Sequence, residues 1–482
     1  MEARKTDRMK HVHFIGICGT AMASIAKMMK DKGWKVTGSD KGIFPPMSDY
    51  LRVSGVSFYV GFHPEKFGIP DCVVVGNFIG PSNPEFIEVK RQRIPYLSYP
   101  ELLAQHLIKI ESVVVAGTYG KTSTSALLAW IWEQAGLNPS YMSAGILKNF
   151  ADGTRNTESA WSIVEGDEYP ASRWNPVPKF SFYRPKYLLL TGVEHDHLDV
   201  YTTEEKFIQT FEELAAQLPH DGLMVAAAMR PNVERVLKRT QAKVTRYGRR
   251  LSSPSGLAVD WSLEILKRVD GTTFIMLHGH KESIGPATLS ILGDGSLDHI
   301  AGAVALARHA GISADTIVRA LESFQGVRRR LEVRGTSGGI TVIDDFGHSP
   351  KKAAAALQAI KLSFPTGRII AIYEPNVGSR VVSSKSLYNG AFNNADVVII
   401  PRLSATKVGE GEEARMEGEG LAEAIQGSDR SRPVATRVVH EPSDDALIAK
   451  IKKTARSGDV VVFLGSHGFR GMIEETLAEL AR

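Results

Sequence analysis

Val113-Val114-Val115-Ala116-Gly117-Thr118-Tyr119-Gly120-Lys121-Thr122-Ser123 is the stretch from which the rest of this chain can be read. An aliphatic run makes a strand, two glycines allow a tight turn, and Ala126-Leu127-Leu128-Ala129-Trp130-Ile131 continues with helical character. Strand, glycine turn and helix form the setting of a phosphate-binding loop. Such a turn aims backbone N–H groups at phosphate oxygens, and the positive end of the following helix adds to their pull. Gly117, Thr118, Tyr119, Gly120, Lys121, Thr122 and Ser123 are therefore expected around a nucleoside triphosphate. Lys121 would reach the β/γ-phosphates, and the Thr122 hydroxyl would ligate Mg²⁺. The full-length motif has a glycine where Val115 stands, so this loop is a shortened one.

At about 150 residues per domain, 482 residues suggest roughly three domains. The apolar (43%) and charged (23%) fractions are those of an ordinary soluble globular protein. A net charge of +5 is spread thinly, Arg328-Arg329-Arg330 being the densest basic cluster. Without an aromatic-interleaved basic stripe, anionic small molecules are the expected partners and nucleic acid is not. Cys18 and Cys72 are too few for a disulfide framework, and neither sits in a zinc-like spacing. The first apolar stretch is broken by Gly16 and Gly19 and ends in Lys27, unlike a signal peptide. No window reaches the length of a membrane span. The expected location is cytoplasmic, with no membrane partner.

Three blocks follow, an α/β pattern in each: 1–110, 111–325 and 326–482. The first has strands at Val12–Gly19, Lys35–Asp40 and Cys72–Asn77, with a helix carrying Met22, Ile25, Ala26 and Met29 on one face. Strand–helix alternation predicts open parallel sheets with ligands at the carboxyl ends of the strands. Gly16 and Gly19 followed by Asp40 suggest a dinucleotide fold, but the G-x-x-G spacing suits another nucleotide diphosphate at least as well as NAD. The second block has strands at Trp161–Glu165 and Tyr187–Thr191 and a polar excursion over 249–256. The third has strands at Ile340–Asp345, Arg368–Tyr373, Val397–Ile400 and Val460–Gly465, with a loop expected over Gly409–Gly420.

Acidic and imidazole groups gather at the predicted strand ends. Glu165 precedes Gly166-Asp167-Glu168, and Glu194-His195-Asp196-His197-Leu198-Asp199 follows the next strand. Carboxylates on the loop's edge of the sheet could complete the shell of a Mg²⁺ ion. Mg²⁺ prefers oxygen, so an imidazole alone would be an unusual ligand. A solvated acidic loop is the plainer reading for Glu168 and Asp199. In the third block Arg330 precedes Asp344-Asp345-Phe346-Gly347-His348, and a fixed cation facing a γ-phosphate would stabilise transferring charge.

Taken together and in order, the short Gly-Thr-x-Gly-Lys-Thr-Ser loop, Glu165, the Glu-x-Asp-His run, Arg-Arg-x-Glu and Asp-Asp-Phe-Gly-His resemble the Mur ligases over nearly the whole chain. Within that family, segments 16–20, 38–40, 45–48, 76–77, 83–84 and 466–471 look most like the branch that joins UDP-N-acetylmuramate to L-Ala-γ-D-Glu-meso-diaminopimelate in cell-wall recycling. The branch that adds L-alanine is the next most similar. The resemblance implies a Rossmann-like UDP-sugar domain, a P-loop ATPase domain and a C-terminal Rossmann-like domain. It assigns Gly16, Cys18, Gly19, Thr20, Ser39, Asp40 and Asn77 to the UDP-sugar. Lys121, Glu165, His197 and Arg330 would be catalytic, with Thr122, Glu165 and His197 at the metal. Arg330, Asp345 and His299 would touch ATP, and His348 and Arg380 the acceptor. The implied cofactors are ATP and Mg²⁺, and the implied state is a monomer or homodimer.

Three positions depart from the family's pattern. Gly-x-His-Asn-x-x-Asn, whose second Asn reads adenine, is replaced by Gly293-Asp294-Gly295-Ser296-Leu297-Asp298-His299, which puts His299 in the reader's place. The Asn before the Glu-x-Asp-His run is Gly192, and the Arg after Glu374-Pro375 is Asn376. A nucleotide-sugar-binding protein impaired in ligation is the reading these departures motivate beside the enzyme.

Overall fold

A computed structural model describes residues 9–44, 47–197, 200–249, 259–269, 271–290, 292–293, 297–404, 413–427 and 436–482. They form three α/β sheets. The first contains β1 (His11–Ile15), β2 (Lys35–Asp40), β3 (Ser57–Val60), β4 (Cys72–Val75) and β5 (Tyr96–Leu97), in the order β3-β2-β1-β4-β5 and parallel throughout. Strand order reverses beside β1, so the crevice beyond its carboxyl end is the natural ligand position. β1 is buried at every residue, as a parallel strand covered on both faces must be.

The middle sheet holds β6 (Glu111–Ala116), β7 (Ser140–Met142), β8 (Thr154–Arg155), β9 (Trp161–Gly166), β10 (Tyr187–Leu190), β11 (Leu223–Ala227), β12 (Lys243–Arg249), β13 (Trp261–Val269), β14 (Thr272–Gly279) and β15 (Ser283–Leu289). Their order is β15-β14-β13-β12-β11-β10-β6-β9-β7-β8. β6 lies between parallel neighbours β10 and β9. The third sheet is β16 (Glu332–Ser337), β17 (Ile340–Asp345), β21 (Val460–Gly465), β18 (Ile369–Glu374), β19 (Val397–Pro401) and β20 (Arg437–Glu441), in that spatial order. Only β16 runs antiparallel to its neighbour there. Alternate residues of β18 enter two cores, Ile369, Ala371 and Tyr373 on one face and Ile370 and Ile372 on the other.

The described residues fall into two compact units. One lies within Met1–Glu264, Met276–Ala287 and Asp298–Phe324, the other within Ile265–Ile275, Thr288–Leu297 and Gln325–Arg482. One apolar core of the first unit joins Phe14, Ile25 and Val74 to Val114, Leu188 and Phe207.

The strand expected through Gly19 stops at Ile15, because Gly16 turns the chain at φ +85, and the strand expected to Asn77 stops at Val75. The loop expected to run through Gly420 is cut short by a helix over Gly418–Gln426, whose Leu421, Ala424 and Ile425 are buried. Residues 409–412 of that loop, 250–256 of the polar excursion, and Pro45, Pro46, Leu198, Asp199, Asp294, Gly295 and Ser296 lie outside the described residues. No described helix is long and apolar enough to cross a membrane.

Candidate active site

Val115 and Ala116 of β6 pair with Glu165 and Gly166 of β9, and Ala116 with Leu190 of β10. The phosphate loop, the Glu165 strand end and the segment after Leu190 therefore share one edge of the sheet. Gly117 turns at φ +127, and Gly120 caps the helix Lys121–Gln134. Thr118 is held against the segment after β10. Its N–H donates to the Gly192 carbonyl at 3.0 Å, and its hydroxyl donates to the Glu194 carbonyl and accepts the Glu194 N–H, both at 2.8 Å. Thr118 and Thr122 are buried, whereas Tyr119 and Ser123 are half-buried. The Lys121 ammonium donates to the Gly117 carbonyl at 2.6 Å and pairs with Glu168 at 2.9 Å. Burial alone would pull Lys121 down, but the Glu168, Asp167 and Glu165 carboxylates outweigh it and hold the pKa above its ordinary value.

Glu165 accepts from the Thr122 hydroxyl at 3.0 Å through Oε1 and from the Ala144 N–H at 2.9 Å through Oε2. Burial pushes its carboxyl up, with the Ala144 N–H and Lys121 opposing. The Thr122 hydroxyl and Glu165 carboxylate are adjacent oxygen donors, the ligand type Mg²⁺ takes, so this pair fits the ion. His197, the third candidate ligand, instead places Nε2 3.3 Å from Glu168 Oε1. That hydrogen bond raises the imidazole's pKa against the effect of burial. Among the described residues no three His, Cys, Asp or Glu side chains gather as a ready-made metal cage.

Glu168, fully buried between Lys121 and His197, is the residue the sequence reading undervalued. Its one signal is the acidic run Glu165-Gly166-Asp167-Glu168 at a strand end. Glu168→Gln is expected to lower the His197 pKa toward its ordinary 6.5 in an NMR titration. Since the folded-state value is the higher one, the contact stabilises fully below the ordinary pKa and is lost as pH rises through the raised one. A His197 titration unchanged in the variant would refute the assignment.

His299 is buried with Nδ1 2.9 Å from the Tyr247 hydroxyl. Its ring edge lies on Gly120, where a Cβ would stand 2.7 Å from Nε2. Burial drives its pKa down to about 3, so the ring is neutral and braces the loop from beneath. Gly192 packs on the loop from the other side, and Asn376 accepts the Ser379 N–H at 3.1 Å.

In the first sheet, the Gly16 and Ile17 N–H groups donate to the Ser39 carbonyl at 2.8 and 3.0 Å. The Cys18 N–H donates to Asp40 Oδ2 at 2.8 Å, and Gly19 caps the helix Thr20–Asp31. The structure thus gathers Gly16, Cys18, Gly19, Thr20, Ser39 and Asp40 where β1 and β2 end, with half-buried Asn77 just after β4. Burial and then Asp40 push the Cys18 thiol up to about 11, so it is no nucleophile.

Beneath them lies a residue no motif pointed to. Glu85 is fully buried, bonds the Ser39 hydroxyl, and accepts the Tyr59 hydroxyl at 2.6 Å and the His63 N–H at 2.7 Å. Burial would raise its pKa, but His13, Ser39 and Tyr59 outweigh that and lower it. Glu85→Ala strands these donors, and each buried orphan costs about 1–3 kcal/mol. Calorimetry should show stability reduced by at least about 3 kcal/mol, with Glu85→Gln recovering part of it; wild-type stability of the Ala variant would refute the account.

In the second unit, Asp345 accepts the Leu331 N–H at 2.8 Å, and burial pushes its carboxyl up to about 6. Arg330 is exposed, with its guanidinium 5.4 Å from the centre of the Phe346 ring. Its neighbour Arg329 is spent internally, donating to the carbonyls of Gly465 at 2.6 Å, His467 at 2.8 Å and Ser466 at 3.0 Å. His348 sits with Nδ1 2.9 Å from the Phe346 carbonyl, its pKa lowered to about 4 by burial and then Lys352. Arg330, Asp345 and His348 are therefore grouped around the Phe346 segment. Arg380 is held in other contacts, buried and donating to the Ser404 carbonyl at 2.8 Å and to Glu417 at 3.1 Å.

Three family models match in succession: the Mur ligase family catalytic domain over 11–109, the Mur ligase middle domain over 115–307, and the Mur ligase glutamate ligase domain over 329–467. The UDP-N-acetylmuramate–L-alanyl-γ-D-glutamyl-meso-2,6-diaminoheptandioate ligase of Escherichia coli (strain K12) is 31% identical over 98% of both chains. The UDP-N-acetylmuramate–L-alanine ligase of Jannaschia sp. (strain CCS1) is also 31% identical, over 94% of this chain and 92% of its own. A crystal structure of a murein peptide ligase from Psychrobacter arcticus 273-4 superposes with a TM-score of 0.68 at 27% identity, covering 98% of this chain and 99% of that one. The chain belongs to the Mur ligase family, and it is a ligase.

Proposed function

We propose that this ligase joins UDP-N-acetylmuramate to L-Ala-γ-D-Glu-meso-diaminopimelate at the expense of ATP, in peptidoglycan recycling in the cytoplasm. The observation that carries this reading is the end-to-end likeness to a relative named for that reaction, 31% identical over 98% of each chain. A carboxylate is a poor acyl donor until phosphorylated. In the proposed sequence the muramate carboxylate attacks the γ-phosphorus, ADP leaves, and the acyl phosphate forms. The peptide's alanine amine then attacks the acyl carbon, and the tetrahedral intermediate expels phosphate. Lys121 would hold the β/γ-phosphates and offset charge as it moves to the leaving ADP. Thr122 and Glu165 would hold Mg²⁺, which when bound screens the triphosphate's charge. Arg330 and Asp345 are the second unit's assignments to ATP, His348 and Arg380 its assignments to the acceptor, and Gly16 to Thr20, Ser39, Asp40 and Asn77 are assigned to the UDP-sugar. An acyl phosphate survives only where water is excluded.

A second reading, ligation to L-alanine alone, is favoured by the equal identity to the alanine-adding relative. Phosphate release with ATP, UDP-N-acetylmuramate and either acceptor separates the two. The tripeptide should support turnover at least about tenfold faster than L-alanine, a gap of about 1.4 kcal/mol in barrier. The reverse preference would favour the alanine reading, and UDP-sugar binding without turnover on any acceptor would sink ligation altogether.

A further inference from the structure

Gly192 is one of the chain's departures from the family pattern, and the structure shows what uses the vacated volume. The Gly192 backbone lies directly on the phosphate loop: a Cβ on Gly117 would be 2.7 Å from its carbonyl oxygen. On the far side of Gly192 stands Arg230. A Cβ at position 192 would come within 2.8 Å of Arg230 Nη1 and 3.5 Å of Cζ, so a side chain at 192 would push the guanidinium out of this place. Arg230 follows β11, which pairs with β10, and caps the helix Pro231–Leu237, whose Glu234 N–H donates to its carbonyl at 3.0 Å. Its backbone is thereby fixed at the same sheet edge as the loop.

We infer that Arg230 is a nucleotide-contacting residue of the phosphate-loop site, reaching the ligand across Gly192 in place of a side chain at that position. The inference rests on the ATP reading above. A guanidinium carries five N–H donors in a rigid fork. The hydrogen bond from Arg230 to Glu194, 3.2 Å long, runs through Nη1, and the arginine side chain is 36% exposed, so solvent and ligand can reach it. Its charge is felt at the loop's support, since after burial it is Arg230 that holds His299 below its ordinary pKa. Arg230 against Gly192, whose backbone lies on Gly117, and neutral His299 against Gly120 are thus the two side chains set about the loop, one charged and one not. A polyphosphate nucleotide is the ligand such an arrangement suits, because a delocalised cation recognises phosphate oxygens and also stacks on a purine.

Binding of ADP and a non-hydrolysable ATP analogue by titration calorimetry tests the assignment in the full-length protein. Arg230→Met should weaken nucleotide binding about tenfold or more, the loss expected for a hydrogen bond to a charged group. The KM for UDP-N-acetylmuramate and the melting temperature should stay near wild type, which a merely structural role would not leave untouched. Gly192→Asn should weaken binding in the wild-type background and add little in Arg230→Met. Equal loss for inorganic triphosphate would place the contact on phosphate, and loss for ATP alone on the base or ribose; both support the inference. Wild-type affinity in Arg230→Met, or additive effects of the two substitutions, overturns it. A wild-type protein that binds no nucleotide overturns the ATP reading and this inference with it.

Discussion

Replacing Lys121 by Met is expected to reduce kcat on the order of 10³-fold or more while UDP-sugar affinity stays as it was. Methionine keeps the buried stem but removes the ammonium proposed to hold the transferring phosphoryl group, and a preorganised charge of this kind is worth about 10²–10³ or more in rate. The substitution also strands Glu168, which is fully buried against that ammonium. Removing one partner of a buried pair costs about 3–5 kcal/mol, so Lys121→Met should also unfold at lower temperature. The double variant Lys121→Met with Glu168→Gln separates the two effects: the melting temperature should recover and the turnover should not. If turnover recovers with stability, the lysine's role is structural and the phosphate reading of the loop fails.

Gly117→Ala should be nearly as damaging. At φ +127 an L-residue is strained, and the new methyl would stand 2.7 Å from the Gly192 carbonyl oxygen and 2.9 Å from its nitrogen. Those are backbone atoms that cannot swing aside. Strain of this kind costs about 1–3 kcal/mol, and displacing the loop by the order of 1 Å costs about 10²-fold in catalysis. Calorimetry and steady-state kinetics with ATP varied check both figures. An alanine variant with wild-type KM for ATP and unchanged stability would show that the loop has slack the structure does not contain.

The parts of this site legible from sequence are those whose chemistry is local. The Val113–Ala116 run, the glycine turn and the helix after it are contiguous, so their pattern survives in one dimension. Glu165 was legible for the same reason, standing at the end of its own strand. Glu85 was not, because nothing about a glutamate in the first turn of the helix Pro84–Arg91 says that the Ser39 and Tyr59 hydroxyls will converge on it. Arg329 and Arg330 are alike in the sequence, yet one is drawn inward by three carbonyls of the 465–467 turn and the other is left exposed. His299 could be flagged as a departure, but its seat under Gly120 depends on Tyr247 from a distant strand. Periodicity also reads helix starts poorly inside glycine- and glutamate-rich segments, which is why the helix from Gly418 was expected as loop.

The Lys121–Glu168 pair has a bearing on which anions can occupy the loop at all. With a buried carboxylate already satisfying the ammonium, an incoming anion does not meet a vacant positive charge; it must compete with an internal tenant. A lone phosphate or sulfate brings a few contacts and gains little from the exchange. A nucleoside triphosphate brings a chain of phosphates, a metal ion and a base, and can recoup the lost pairing at several points at once. On the phosphate reading of the loop, the glutamate would therefore favour ligands that make several contacts at once over a lone phosphate or sulfate.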